Sequence, residues 1–178
     1  MDKVRLLGKE FALYLPAGKI QIQVQRLADK MNDELKDEEV IFVGVLNGAF
    51  MFASDLLRRI SFNVYVTFVK LSSYPEITSS GTVKSLIGLN DDFRDKTVVV
   101  IEDIVETGNT IEAIAKEITV FKPAKILFAA LLLKPDQYKK DIDLQYIGFR
   151  IPGNFIIGYG LDYQGYGRNL KDLYQMVE

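Results

Sequence analysis

At 178 residues, with 48% hydrophobic and 26% charged residues, the chain has the balance of a globular protein that buries a core, and a single domain over residues 1–178 is expected. A formal net charge of −2 argues against the broad basic footprint that nucleic acid or an anionic membrane demands, so any bound anion must be gripped locally. With no Cys and no His, disulfides, thiolate catalysis and zinc–thiolate sites are excluded; carboxylates, Lys, Arg, Tyr and hydroxyls remain for chemistry, and a bound metal would be a hard one held by oxygen.

The opening stretch MDKVRLLGKEFALYL has no apolar core long enough for a signal sequence, and no window reaches bilayer-spanning length, so a cytoplasmic location is expected. From Ile20, apolar residues recur at Val24, Leu27, Ala28, Met31 and Leu35, the spacing of an amphipathic helix. Val40 to Leu46 is a nearly continuous apolar run that suits a strand covered on both faces, and Ala49 to Ile60 reads as a helix. Phe62 to Val69 alternates as a strand does, and Leu71 to Ser85 is a Ser-, Thr-, Gly- and Pro-containing stretch that reads as a long loop. Thr97 to Ile101 predicts a buried strand, followed by a helix whose Ile111, Ile114, Ala115 and Ile118 share a face, and Lys125 to Leu133 repeats the strand pattern. Leu144 to Phe149 and Asn154 to Tyr159 read as short strands, and a Gly- and Tyr-rich tail from Gly158 to Asn169 is placed to cap a site. Strands alternating with helices predict an α/β fold: an open, mainly parallel sheet with helices on both sides. Ligands of such sheets sit beyond the carboxyl ends of the strands, which directs attention to residues just after Leu46, Ile101 and Leu133.

At the second of these places Glu102 and Asp103 interrupt the apolar run, and Thr107-Gly108-Asn109-Thr110 opens a helix. A helix start offers backbone N–H groups and the positive end of the dipole to an anion, and the glycine permits close approach. Adjacent carboxylates would repel a phosphate, yet each can accept a hydrogen bond of about 2.7 Å from a sugar hydroxyl. Together they describe a ribose 5-phosphate. The alternative is bland: a strand end reaching solvent, with Thr107 or Asn109 serving only as a helix cap.

The run Val98 to Thr110, VVVIEDIVETGNT, resembles the phosphoribosyl pyrophosphate motif of type I phosphoribosyltransferases, and its surroundings from Val40 to Leu173 are similar to those of the hypoxanthine (hypoxanthine-guanine) branch of that family. The resemblance implies a twisted, mainly parallel sheet flanked by helices, with a small hood formed by the chain ends. It implies magnesium-dependent transfer of phosphoribosyl from phosphoribosyl pyrophosphate to N9 of hypoxanthine, and of guanine, in purine salvage, by a homodimer or homotetramer without nucleic-acid or membrane partners. Residue by residue, it implies that Glu102 and Asp103 hold the ribose hydroxyls and serve magnesium, and that Asp162 is a ligand of a second magnesium. Glu106, Thr107, Gly108, Asn109 and Thr110 would cradle the 5-phosphate, Leu46-Asn47-Gly48 would form the pyrophosphate loop through an unusual peptide geometry, and Arg168 would contact pyrophosphate. Ser73-Tyr74 matches the catalytic loop. Lys134 matches the donor to the purine 6-oxo group, Phe155 the aromatic that stacks on the base, Ile156 the residue whose backbone reads the ring edge, and Asp162 a neighbour of the purine.

Two residues depart from the family pattern. Glu106 stands where an Asp is usual as the base that takes the purine N7 proton, and Asn47 where better-known members carry Lys. Two rival functions are open at this point: a regulator on the same scaffold that senses phosphoribosyl pyrophosphate and binds nucleic acid, and a xanthine-preferring enzyme.

Overall fold

The computed structural model describes residues 3–71, 85–87, 89 and 91–177. Helix α1 (Ala17–Leu35) buries Ile20, Val24, Leu27, Ala28, Met31 and Leu35, the six positions picked out by the 3.6-residue repeat. Its first amide, Ala17 N–H, donates to Asp172 Oδ1 at 2.7 Å, so a residue near the other end of the chain satisfies its N-terminus.

Six strands make the main sheet, in the order β5 (Ser85–Ile87), β4 (Tyr65–Leu71), β3 (Val40–Val45), β6 (Thr97–Val105), β7 (Lys125–Leu133) and β8 (Tyr146–Arg150). All neighbours are parallel except β5, which runs antiparallel to β4. One face packs α1 and α2 (Phe50–Leu57) around Phe42, Phe52, Val99 and Ile101. The other packs α3 (Asn109–Thr119) around Val43, Val98, Val100 and Phe128. A second, four-stranded antiparallel sheet joins the two ends of the chain, in the order β1 (Lys3–Leu6), β2 (Lys9–Leu15), β10 (Leu173–Met176) and β9 (Ile156–Ile157). This sheet is the hood.

The central strand is longer than the apolar run suggests. Pairing with β7 continues from Glu102 opposite Ala130 to Val105 opposite Leu133, because ladder hydrogen bonds depend on backbone, not on side-chain polarity. Glu102 and Asp103 therefore lie inside β6, not beyond it. The strand expected over Asn154 to Tyr159 shrinks to two residues, because Gly158, Tyr159 and Gly160 take φ values of 97°, 47° and 103°, which no strand accommodates.

Candidate active site

The site forms where β3, β6 and β7 end, as the parallel topology requires. After β6 the chain turns through Gly108, whose φ of 82° starts α3 with no side-chain cap. Thr107 Oγ1 reaches only to within 3.4 Å of Asn109 N, so a simple capping role does not account for this turn. The uncapped start opens on a cavity of about 160 Å³ lined by Glu102, Ile104, Val105 and Glu106 to Ile111. Helix polarity and backbone N–H groups suit it to a phosphate. Sequence reasoning missed what supports the loop from behind. A Cβ on Gly108 would lie 2.6 Å from the Tyr138 ring and 2.7 Å from the Lys140 stem, so these side chains fill the space that glycine leaves. No motif marks either residue.

A second cavity of about 200 Å³ adjoins the first, lined by Asp103, Ile104, Glu106, Lys134, Phe155, Ile156, Leu161 and Asp162. It gathers the four residues expected at a purine, and adds Leu161. Lys134 is only 5% exposed, far from the solvated strand end that its position after β7 allows. Its ammonium is ion-paired to the Glu106 carboxylate, and Glu106 spans both cavities. Phe155 is 46% exposed, braced edge-on by Tyr163 at a centroid distance of 5.8 Å, which leaves ring surface available for stacking.

The part of the site around Leu46 to Gly48 is built by close backbone contact. The Leu46–Asn47 peptide is cis, the unusual geometry expected of this loop. A side chain on Gly48 would overlap the Asp103 carboxylate, and one on Gly160 would overlap the Gly48 carbonyl, so hood, loop and central strand meet with no room for a Cβ. Arg168 donates to the Gly160 carbonyl at 2.7 Å and pairs with Asp162 Oδ1 at 2.5 Å. Asp162 Oδ2 accepts the Gly165 N–H at 2.6 Å. Ser73 and Tyr74 lie outside the described residues.

The carboxylates expected to serve magnesium divide between the two cavities, Glu102 at the first and Asp103 and Asp162 at the second. Successive strand residues point to opposite faces, so Glu102 faces the α3 cavity while Asp103 faces Gly48 and the second cavity. Among the described residues no group of three acidic side chains has metal-site geometry. Burial, and then the neighbouring Asp103 charge, hold the Glu102 carboxyl well above the usual carboxylate range. Burial likewise pushes Asp103 from 3.8 to about 6, opposed by the Ile104 N–H and by Arg168 and reinforced by Asp162.

A raised carboxyl pKa means that the folded state favours the neutral form. The stability from Asp103 is fully present below the unfolded value near 3.8 and is lost as pH rises through about 6. Asp103→Asn is therefore expected to stabilise the ligand-free protein by about 1–3 kcal/mol at pH 8, with the gain vanishing towards pH 4. Thermal melts across that range check it; a destabilised variant at pH 8 contradicts it.

A family model described as the phosphoribosyl transferase domain matches residues 14–164. The chain belongs to the phosphoribosyltransferase family. The hypoxanthine-guanine phosphoribosyltransferase of Aquifex aeolicus is 38% identical over 100% of this chain and 99% of that protein. The hypoxanthine phosphoribosyltransferase of Escherichia coli K12 is 33% identical over 92% and 93%. A solved hypoxanthine-guanine phosphoribosyltransferase from Bacillus anthracis superposes with a TM-score of 0.86 at 35% identity, covering 93% of this chain and 98% of that one. The phosphoribosyltransferase fold thus extends to the paired sheets and the hood.

Proposed function

We infer that this phosphoribosyltransferase transfers phosphoribosyl from phosphoribosyl pyrophosphate to N9 of hypoxanthine, and of guanine, releasing pyrophosphate. The observation that carries this reading is the meeting of the two cavities along Ile104 and Glu106. A 5-phosphate at the start of α3 and a purine between Lys134 and Phe155 leave the ribose at that seam, with Glu102 on one side and Asp103 on the other. The anomeric carbon then faces the Asn47–Gly48 loop and Arg168, where pyrophosphate would depart.

The bond from the anomeric carbon to pyrophosphate breaks, the bond to N9 forms, and the purine gives up a proton. Carboxylates beside the ribose stabilise the positive charge that grows on the sugar, while Arg168 and loop amides receive the leaving anion. Glu106, beside the base, takes the proton from N7. Lys134 donates to the 6-oxo group; a 6-amino group would set donor against donor.

Magnesium fits the donor set. It takes one or two carboxylates, keeps several waters and binds substrate phosphates, and Asp103 and Asp162 offer hard oxygens to the same cavity. Bound there, it would neutralise charge on the pyrophosphate group. Assembly as a homodimer or homotetramer and a cytoplasmic location belong to the same reading.

A spectroscopic assay with phosphoribosyl pyrophosphate and magnesium against hypoxanthine, guanine, xanthine, adenine and uracil tests the proposal. Turnover is expected with hypoxanthine and guanine and not with adenine or uracil. No turnover with any base would overturn it, and xanthine as the best substrate would revise the specificity.

A further inference from the structure

Tyr159 lines neither cavity, yet two residues beyond β9, at the tip of the hood, it is held at both ends. It is 2% exposed, and its hydroxyl donates to Asp55 Oδ2 on α2 at 2.6 Å. Gln21 on α1 donates to the same carboxylate oxygen at 2.6 Å. Arg59 closes the network, donating to Gln21 Oε1 at 2.7 Å and to the Asp55 carbonyl at 2.6 Å. Burial and the Asp55 carboxylate push the Tyr159 phenol well above its ordinary range, so it remains a donor.

The backbone of Tyr159 is held at φ 47°, a left-handed conformation that costs a non-glycine residue free energy and persists only where its surroundings impose it. The constraint comes from the phenol at one end and from backbone at the other: Tyr159 N–H donates to the Leu170 carbonyl at 2.7 Å, and Gly160 N–H to the Arg168 carbonyl at 3.0 Å. Gly160, the next residue, is the one that abuts the Gly48 carbonyl and accepts from Arg168. Helix α2 begins just after Gly48 and carries Asp55 about one and a half turns from its start. The same short helix thus follows the pyrophosphate loop at its start and holds the tip of the hood through Asp55.

We propose that Tyr159, with Asp55, Gln21 and Arg59, is a latch that positions the hood tip on the pyrophosphate loop and so aims Arg168 at the leaving group. The latch rests on the functional reading above and adds positioning residues to it. Tyr159 touches no substrate; it sets where Gly160 and Arg168 stand. Loosening it would weaken the pyrophosphate end of the site, while Lys134 and Glu106, which stand on other elements, would keep their grip on the base.

Tyr159→Phe removes the hydroxyl and keeps the ring. The KM for phosphoribosyl pyrophosphate, the inhibition constant of product pyrophosphate and the dissociation constant of magnesium pyrophosphate are each expected to rise about tenfold, the scale of one lost charge-assisted hydrogen bond. The KM for hypoxanthine should stay within about twofold. Tyr146→Phe is the control. Tyr146 is equally buried and donates to Glu34 at 2.8 Å, so it should lower thermal stability comparably and leave all of these constants alone. Asp55→Asn, which keeps an acceptor, should lie closer to the native protein than Asp55→Ala. If Tyr159→Phe melts earlier, as Tyr146→Phe does, but binds magnesium pyrophosphate as the native protein does in titration calorimetry, the latch is purely structural and the inference is wrong. Calorimetry needs no turnover, so an inactive native protein would count against the proposed function alone.

Discussion

Replacing Glu106 with alanine is expected to lower kcat about a hundredfold, or about 2.7 kcal/mol of transition-state stabilisation, at the low end of what a positioned base contributes. The KM for phosphoribosyl pyrophosphate should change by no more than about twofold, because the phosphate is held by backbone at the start of α3 and the proton is lost only as N9 attacks. Geometry makes the assignment. Among the described residues Glu106 is the one carboxylate that lines both cavities and contacts Lys134, the proposed donor to the purine 6-oxo oxygen. N7 lies beside that oxygen on the purine, so a carboxylate next to Lys134 is within reach of it. In the ligand-free protein the pair neutralises a buried ammonium; on the proposed mechanism Lys134 would turn to the oxo group and Glu106 to the proton as the base enters. Glu106→Asp, one methylene shorter by about 1.5 Å, should retain more activity than Ala while losing contact with Lys134. Steady-state kinetics with hypoxanthine and guanine read the result. Full turnover by Glu106→Ala would remove it from the mechanism.

Helix α1 and strands β3 and β7 were legible in the sequence, because each is governed by one strong periodicity or one apolar run bounded by charge. The hood was harder. Strand β1 and strand β2 are joined through Leu7 and Gly8, at φ 46° and 78°, and a leucine in a left-handed turn gives no turn signal that composition can detect. Strand β10 pairs with β2 across almost the whole chain, and such distant partners leave no mark on local pattern. At the site, Glu102 to Thr110 was readable because a strand, two carboxylates and a glycine-led helix start are contiguous. What sequence could not convey is that adjacency along a strand separates side chains: Glu102 and Asp103 read as a pair and stand on opposite faces. The Tyr159 network was equally hidden, since its members come from α1, α2 and the hood and converge only through packing.

Gly48→Ala is expected to fold and to lose about a hundredfold or more in kcat/KM for phosphoribosyl pyrophosphate. A single methyl suffices because Gly48 sits where loop, central strand and hood touch: its α-carbon faces the Asp103 carboxylate and its carbonyl faces Gly160. The methyl would displace Asp103 from the ribose, or push the loop into the hood and move Arg168 with Gly160. Either shift is of the order of 1 Å at a reacting group, enough to cost about a hundredfold without removing any chemical function. Overpacking of this kind costs about 1–3 kcal/mol of stability, so the variant should melt earlier yet remain folded. The KM for hypoxanthine should move less than that for phosphoribosyl pyrophosphate, because Lys134 follows β7, outside both the loop and the hood. Asp103→Ala in the Gly48→Ala background separates the two routes. If the clash is with the carboxylate, Gly48→Ala should lower the melting temperature less in the Asp103→Ala background than in the native one; if the displacement runs through the hood, the drop should be the same in both. Native kinetics from Gly48→Ala would show that the contact with Asp103 is not kept during turnover.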